Sequence, residues 1–329
     1  MSALLSVRSL CTAVSSGGGD FDVLRGVSFD VAPGEKIGIV GESGSGKSMT
    51  ALSIVRLLPP AARIKSGMLL FDGEDLAQAS SERLRSVRGA KIGMVFQDPM
   101  TSLNPVRNIG RQMTEGMEEH LGLASSESRS RALELLRRVK IARPEQIMSS
   151  HPHQLSGGMR QRVAIAMALA CRPSLVIADE PTTALDVTVQ AEVIRLLEDL
   201  TSDHGTAVIL ISHSLDLVAQ YCDRVLVMYA GRIVEAGSTT DVIRQPQHPY
   251  TADLIASAPD ISAPRMNRFA AIAGQPPAPS DLPTGCPYHP RCALAFDRCT
   301  QSEPALGEAA ARAACWLEGD KTQVRDTVQ

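Results

Sequence analysis

Residues 41–48 read GESGSGKS. That spacing of glycines, lysine and hydroxyl suits the cradling of a polyphosphate. Gly41, Gly44 and Gly46 let consecutive backbone N–H groups curl around phosphate oxygens. Lys47 offers a point charge to the β- and γ-oxygens, and the Ser48 hydroxyl is a hard oxygen for Mg²⁺. Ser43 and Met49, within and just after the loop, complete the expected contact set. A second anion seat follows far downstream. Leu155, Ser156, Gly157 and Gly158 open the run LSGGMRQRVAIAMALA, a Ser-Gly-Gly turn feeding a helix N-terminus with bare N–H groups and the positive end of its dipole. The same three residues would also serve as a plain helix cap.

Carboxylates and amides stand at strand ends. Asp179 and Glu180 close the apolar run SLVIA, the end of a strand at which sheet proteins place ligands. Asp179 suits Mg²⁺, and Glu180 suits the orientation or deprotonation of an attacking water. An acid pair after a buried strand also occurs as a simple cap. His213 ends VILIS and Gln97 follows KIGMVF. His213 suits contact with a γ-phosphate, although a strand-end histidine is more often structural. Gln97 suits Mg²⁺ from a loop that moves.

The seven cysteines are unevenly spread. Cys11, Cys171 and Cys222 are isolated and read as small buried hydrophobes. Cys286, Cys292, Cys299 and Cys315 crowd the tail with spacing C-x5-C-x6-C-x15-C. In a reducing compartment four such thiolates suit tetrahedral zinc or an iron–sulfur cluster. His289 is a reserve ligand, and free thiols in a loop-rich tail are the plainer alternative.

Bulk properties limit the partners. Formal net charge is −3 and aromatics are 3% of 329 residues, which argues against nucleic acid as a partner. No apolar run approaches the roughly 18 residues a spanning helix needs, and the first residues lack a signal-peptide core. The expectation is a cytoplasmic chain that serves a membrane only by docking to another subunit.

Positioning these groups requires strands that end at loops. LLSVRSL, GVSFDV and KIGIV read as strands, with SSGGGDF and APGE as turns. KSMTALSIVRLL reads as a helix stopped by Pro59-Pro60. KIGMVF, SLVIAD and GTAVILIS are apolar runs of the parallel-sheet kind. Residues 106–170 read mostly helical, with RSRALELLRRVKI strongly amphipathic, and VTVQAEVIRLLEDL has helical spacing. DRVLVMYAGRIVEAG reads as a hairpin turning at Ala230-Gly231. After about residue 245 Pro, Ala and Ser become frequent and periodicity fades.

In order and spacing these motifs resemble the ATP-binding cassette of ABC transporters. GESGSGKS matches its Walker A, Gln97 its Q-loop, LSGGM its signature, SLVIADE its Walker B with the catalytic glutamate, ALD with Asp186 its D-loop, and His213 its switch histidine. The resemblance implies an α/β P-loop ATPase cassette over residues 1–245, with a mixed sheet core, an antiparallel β subdomain and a helical subdomain at about 106–170. It implies that cassettes pair head to tail, so that Ser156, Gly157 and Gly158 of one cover the γ-phosphate of ATP held by the other. The family has Gln more often where Met159 ends this signature. It stacks an aromatic ring on adenine; the register here puts Val14 at that place, with Phe21 as substitute.

The tail narrows the resemblance. HPYTADLIASAPD, GCPYHPRCALAFDRC and QDPMTSLNP are similar to segments of dipeptide and oligopeptide permease ATPases. This implies a C-terminal extension over 246–329 carrying a [4Fe–4S] cluster on Cys286, Cys292, Cys299 and Cys315, with Zn²⁺ as the alternative. It implies ATP and Mg²⁺ as ligands, a second ABC ATPase subunit (a heterodimer rather than a homodimer), two transmembrane permease subunits and an extracytoplasmic solute-binding protein. The place would be the cytoplasmic face of the membrane, held peripherally. Two other readings compete: a soluble ABC ATPase of translation or DNA repair, and a redox-sensing role for the tail cluster. Repair types carry long coiled coils between Walker A and signature, and translation types carry two cassettes; this chain has neither.

Overall fold

The computed structural model describes residues 3–98, 102–182, 187–203, 205–257, 272–307 and 312–317. The chain divides into two compact units. One comprises Met1–Ala3, Val31–Lys36 and Gln78–Ile211; the other comprises Leu4–Asp30, Ile37–Ala77 and Ser212–Gln329.

The unit that starts at Leu4 holds two sheets. The first is antiparallel, in the order β2 (Gly19–Val31), β1 (Leu5–Ser16), β4 (Ala62–Phe71), β5 (Glu74–Asp75). In β1 buried Leu5 and Val7 alternate with half-buried Ser6 and Arg8; the register then shifts between Arg8 and Cys11, and Leu10, Thr12 and Ala13 are buried. The second sheet is mixed. β3 (Lys36–Val40) runs parallel to β9 (Arg224–Tyr229), and β9 pairs antiparallel with β10 (Arg232–Ser238). β10 pairs antiparallel with β11 (Arg312–Ala313). The β9–β10 turn is at Ala230-Gly231 as expected, with φ of 45° and 79°. Positive φ at both central residues is the pattern whose twist matches a hairpin. Among the described residues five α-helices accompany these sheets: α1 (Lys47–Ile54), α8 (Leu215–Tyr221), α9 (Thr239–Arg244), α10 (Pro249–Ala256) and α11 (Asp297–Gln301). Hydroxyl caps start two of them, Ser214 for α8 and Ser238 for α9.

The other unit is built on three parallel strands, β6 (Ile92–Val95), β7 (Leu175–Asp179) and β8 (Ala207–Ser212). β7 and β8 are buried along their whole length, which accounts for their unbroken apolar sequences. The helices are α2 (Ser81–Val87), α3 (Ile109–Leu121), α4 (Ser125–Arg138), α5 (Pro144–Ser149), α6 (Gly157–Ala168) and α7 (Val187–Ser202). Ile109, Met113, Met117, Ala132 and Leu136 form the apolar faces of α3 and α4. Among the described residues no helix is long and apolar enough to cross a membrane.

Four local expectations are corrected. β1 and β2 are longer than LLSVRSL and GVSFDV and meet at Gly17-Gly18. α1 ends at Ile54, well before Pro59, because Arg56 turns left-handed at φ 50° and its guanidinium reaches the Leu76 carbonyl. β4 is an added strand: apolar and polar residues alternate only over Ala62–Lys65, and its buried residues, Leu69 and Phe71, fall in an unbroken apolar run. Cys11 is half-buried, whereas Cys171 and Cys222 are buried as expected.

Close packing in the parallel unit is testable at Gly93 of β6. A Cβ there would lie 2.2 Å from the Ala168 carbonyl oxygen at the end of α6. Gly93→Ala should cost about 1–3 kcal/mol, read as a lower urea midpoint by circular dichroism. An unchanged midpoint would refute this packing.

Candidate active site

The phosphate loop leaves β3 and enters α1. Gly41 has φ 151°, and a Cβ there would lie 2.2 Å from the Met228 carbonyl oxygen. Gly46, the N-cap of α1, has φ 106°. Both positions therefore call for glycine on steric grounds. The Gly231 N–H donates to the Ser45 carbonyl at 3.0 Å, so the β9–β10 turn buttresses the loop. Lys47 is buried, and its Nζ donates to the carbonyls of Gly41 at 2.8 Å and Glu42 at 2.9 Å. Ser43 and Gly44 are exposed at the tip, while Ser48 and Met49 are half-buried in the first turn of α1. The Ser45 hydroxyl oxygen is buried without a hydrogen-bond partner. An orphaned hydroxyl, a lysine fastened to loop carbonyls and a helix N-terminus together fit a polyphosphate with its Mg²⁺.

In the parallel unit, Asp179 ends β7 and is buried. Glu180 follows at φ 46°, with its N–H donating to the Ile211 carbonyl at 3.0 Å. A non-glycine residue in the left-handed region right after a buried strand is a strained placement of the kind found at functional sites. The structure brings Gln97 to this glutamate: Gln97 Nε2 donates to Glu180 Oε2 at 3.2 Å. His213 stands exposed just after β8. Gln97, Asp179 and Glu180 belong to one unit; Lys47, Ser48 and His213 belong to the other.

The second anion seat is formed at the start of α6. Leu155 is buried, and Ser156 caps the helix by accepting from the Met159 N–H at 3.4 Å. Ser156 and Gly157 are exposed. A Cβ on Gly157 or Gly158 would meet nothing within 4 Å, and neither has positive φ. Nothing described in the chain requires glycine at these two positions. Val14 and Phe21 lie half-buried on the β1–β2 hairpin. Asp186 of the expected D-loop lies outside the described residues.

The expected metal centre is corrected. Cys286, Cys292, Cys299 and Cys315 do converge on one cavity, beside His289 and Trp316, but its volume is about 20 Å³. That is room for about one water, not an iron–sulfur cluster. Among the described residues no group of three or more His, Cys, Asp or Glu side chains is arranged to hold a metal ion. Burial among apolar walls raises the Cys286 thiol, and pushes Cys292 up to about 12 and Cys315 up to about 11. The cluster and its zinc alternative are both withdrawn, and all four cysteines are free. An aromatic core holds the tail instead, made of Tyr229, Tyr250 and Tyr288.

Three loop contacts escaped the sequence reading: Glu42, Tyr250 and Arg291. Glu42 occupies a position of the motif that accepts any residue. Tyr250 and Arg291 approach it from the tail, and no local pattern announces that approach.

Comparison with known proteins agrees with this layout. The family profile described as "ABC transporter" matches residues 24–183, and that of the "Oligopeptide/dipeptide transporter, C-terminal region" matches 234–299. The chain is 50% identical over 320 residues to a probable peptide ABC transporter ATP-binding protein, y4tR, of Sinorhizobium fredii, covering 96% of each chain. It is 46% identical to the oligopeptide transport ATP-binding protein AppD of Bacillus subtilis, covering 93% of each. Among solved structures, the dimeric post-hydrolysis state of the ATP-binding cassette MJ0796, bound to ADP and Pi, superposes with a TM-score of 0.65. It is 28% identical and covers 71% of this chain and 98% of that one. A P-loop ATPase cassette of α/β type is thus the class that fold and site define. Within it, the chain belongs to the ABC transporter ATP-binding subunits, closely related to those of the oligopeptide and dipeptide permeases.

The two kinds of glycine should separate in unfolding experiments. Gly41→Ala should cost about 1–3 kcal/mol through its clash with backbone. Gly157→Ala should stay within about 0.5 kcal/mol of the parent. Urea titrations of both variants check this; a large loss at Gly157 would show an intrachain role for that glycine.

Proposed function

We propose that this chain powers peptide import by hydrolysing ATP in a head-to-tail pair of cassettes, each nucleotide held by one phosphate loop and covered by the other chain's Ser156, Gly157 and Gly158. The observation that carries this reading is the open space around those two glycines. The first N–H groups of a helix have no partner within it, so these two suit an anion that another molecule brings.

In this reading Lys47 holds the β- and γ-oxygens of ATP, with Gly41, Ser43, Gly44, Gly46 and Met49 lining the loop. Ser48, Gln97 and Asp179 hold Mg²⁺, which supplies charge neutralisation at the phosphates. Glu180 accepts the proton of the attacking water, and His213 contacts the γ-phosphate. Asp186 serves the neighbouring cassette, and Val14 or Phe21 lies against adenine. The hydrogen bond from Gln97 to Glu180 ties the loop after β6 to the base. That loop, with α3, α4 and α5, docks to two membrane-spanning permease subunits. The chain therefore sits peripherally at the cytoplasmic face. Its companion cassette is a related, distinct subunit, and a solute-binding protein outside the membrane delivers the peptide. The C-terminal region supports peptides as cargo, since relatives with that region are named as peptide transporters.

Glu180→Gln should lower phosphate release about 10²–10³-fold while leaving equilibrium ATP binding intact, measured with the companion cassette present. Undiminished hydrolysis would remove Glu180 from its role. Lys47→Ala should abolish ATP binding by calorimetry, and unchanged affinity would overturn the phosphate-loop assignment.

A further inference from the structure

The second residue of the phosphate loop is fastened from the tail. The Glu42 carboxylate accepts two hydrogen bonds from the Arg291 guanidinium, Nη1 to Oε2 at 2.6 Å and Nη2 to Oε1 at 2.9 Å. The Glu42 N–H donates to the Tyr250 hydroxyl at 2.7 Å, and its carbonyl accepts from Lys47. Residue 42 is therefore held at its amide, its carbonyl and its side chain, and two of the three contacts come from the last third of the chain.

Arg291 is itself strongly placed. Its side chain is only 5% exposed. Its Nε donates to the Ala273 carbonyl at 2.8 Å, and Nη1 reaches the Tyr229 hydroxyl at 3.3 Å. The guanidinium lies 5.8 Å from the Tyr229 ring centroid and 5.7 Å from that of Tyr288, within cation–π range. Those rings pack on Tyr250, with centroid distances of 4.6 and 5.3 Å. All these residues lie in one compact unit.

Charge explains why the pair matters. A triphosphate brings several negative charges to a loop that already contains a carboxylate. Unpaired, Glu42 would repel it; paired to a planar fork in a largely buried setting, its charge is cancelled and its direction set. We propose that Arg291 is a positioning residue for nucleotide binding, neutralising Glu42 and fixing the loop, so that the C-terminal extension is a working part of the ATP site. Arg291 touches no reacting atom and acts through Glu42. The inference rests on the reading that this loop binds ATP.

The test uses the full chain and Mg-ATP, by calorimetry and steady-state hydrolysis. Arg291→Gln should raise the Kd and KM for ATP roughly tenfold while kcat moves by less than about twofold. Adding Glu42→Gln to Arg291→Gln should restore affinity to within about threefold of the parent, because the repelling charge is then gone. A merely structural role would show equal affinity loss with and without Glu42→Gln, and that outcome overturns the proposal, as does parental affinity in Arg291→Gln. Should Arg291→Gln fail to fold by circular dichroism, Arg291→Lys takes its place. Lys is a point charge in place of a fork, and its weaker binding should likewise be relieved by Glu42→Gln; no weakening, or none relieved, overturns the proposal. Lys47→Ala separates the two readings: if it binds ATP like the parent, the phosphate-loop assignment fails and this inference with it. If it loses binding while Arg291→Gln does not, only this inference fails.

Discussion

A phosphate loop acts mainly through its backbone, and backbone donors converge only if the chain is forced into a conformation that side chains forbid. Gly41 and Gly46 supply that conformation between β3 and α1. The Met228 carbonyl presses where a Cβ of Gly41 would be. Lys47 then ties the loop together from within, through the Gly41 and Glu42 carbonyls. Without this local geometry the strands and helices around the loop would present no anion site.

Glycine serves two opposite purposes in this chain. In the phosphate loop its own neighbours demand it, by positive φ and by contact. At the start of α6 its neighbours are indifferent: a Cβ added to Gly157 or Gly158 meets nothing within 4 Å. The first use is an internal folding constraint. The second makes physical sense for a surface that meets another molecule's charge.

The tail is held by chemistry other than metal ligation. Three buried tyrosines, the Arg291–Glu42 pair and the Tyr288 hydroxyl on Asp253 supply aromatic packing and charge-assisted hydrogen bonds. A second ionic group, Glu303 with Arg25 and Arg232, fastens the tail to β2 and β10. The cysteines gather in this neighbourhood but line a cavity too small and too apolar for a cluster. Their spacing was suggestive because four thiols near Pro and Gly are compatible with a cage. Spacing alone carries no information on cavity size or on whether the thiols ionise.

The amino-acid order alone determined the phosphate loop, the acid pair after β7, the Ser-Gly-Gly helix start and the buried parallel strands. Each of these acts through its own consecutive residues, so its physics is written locally. Strand β4, the early end of α1 at Arg56, the left-handed placement of Glu180 and the apolar cysteine cavity were decided only by tertiary structure. So was the partnership of Glu42 with Arg291, residues 249 positions apart. An ion pair across that interval depends on which segments the folded core sets side by side, and a linear pattern leaves no trace of it.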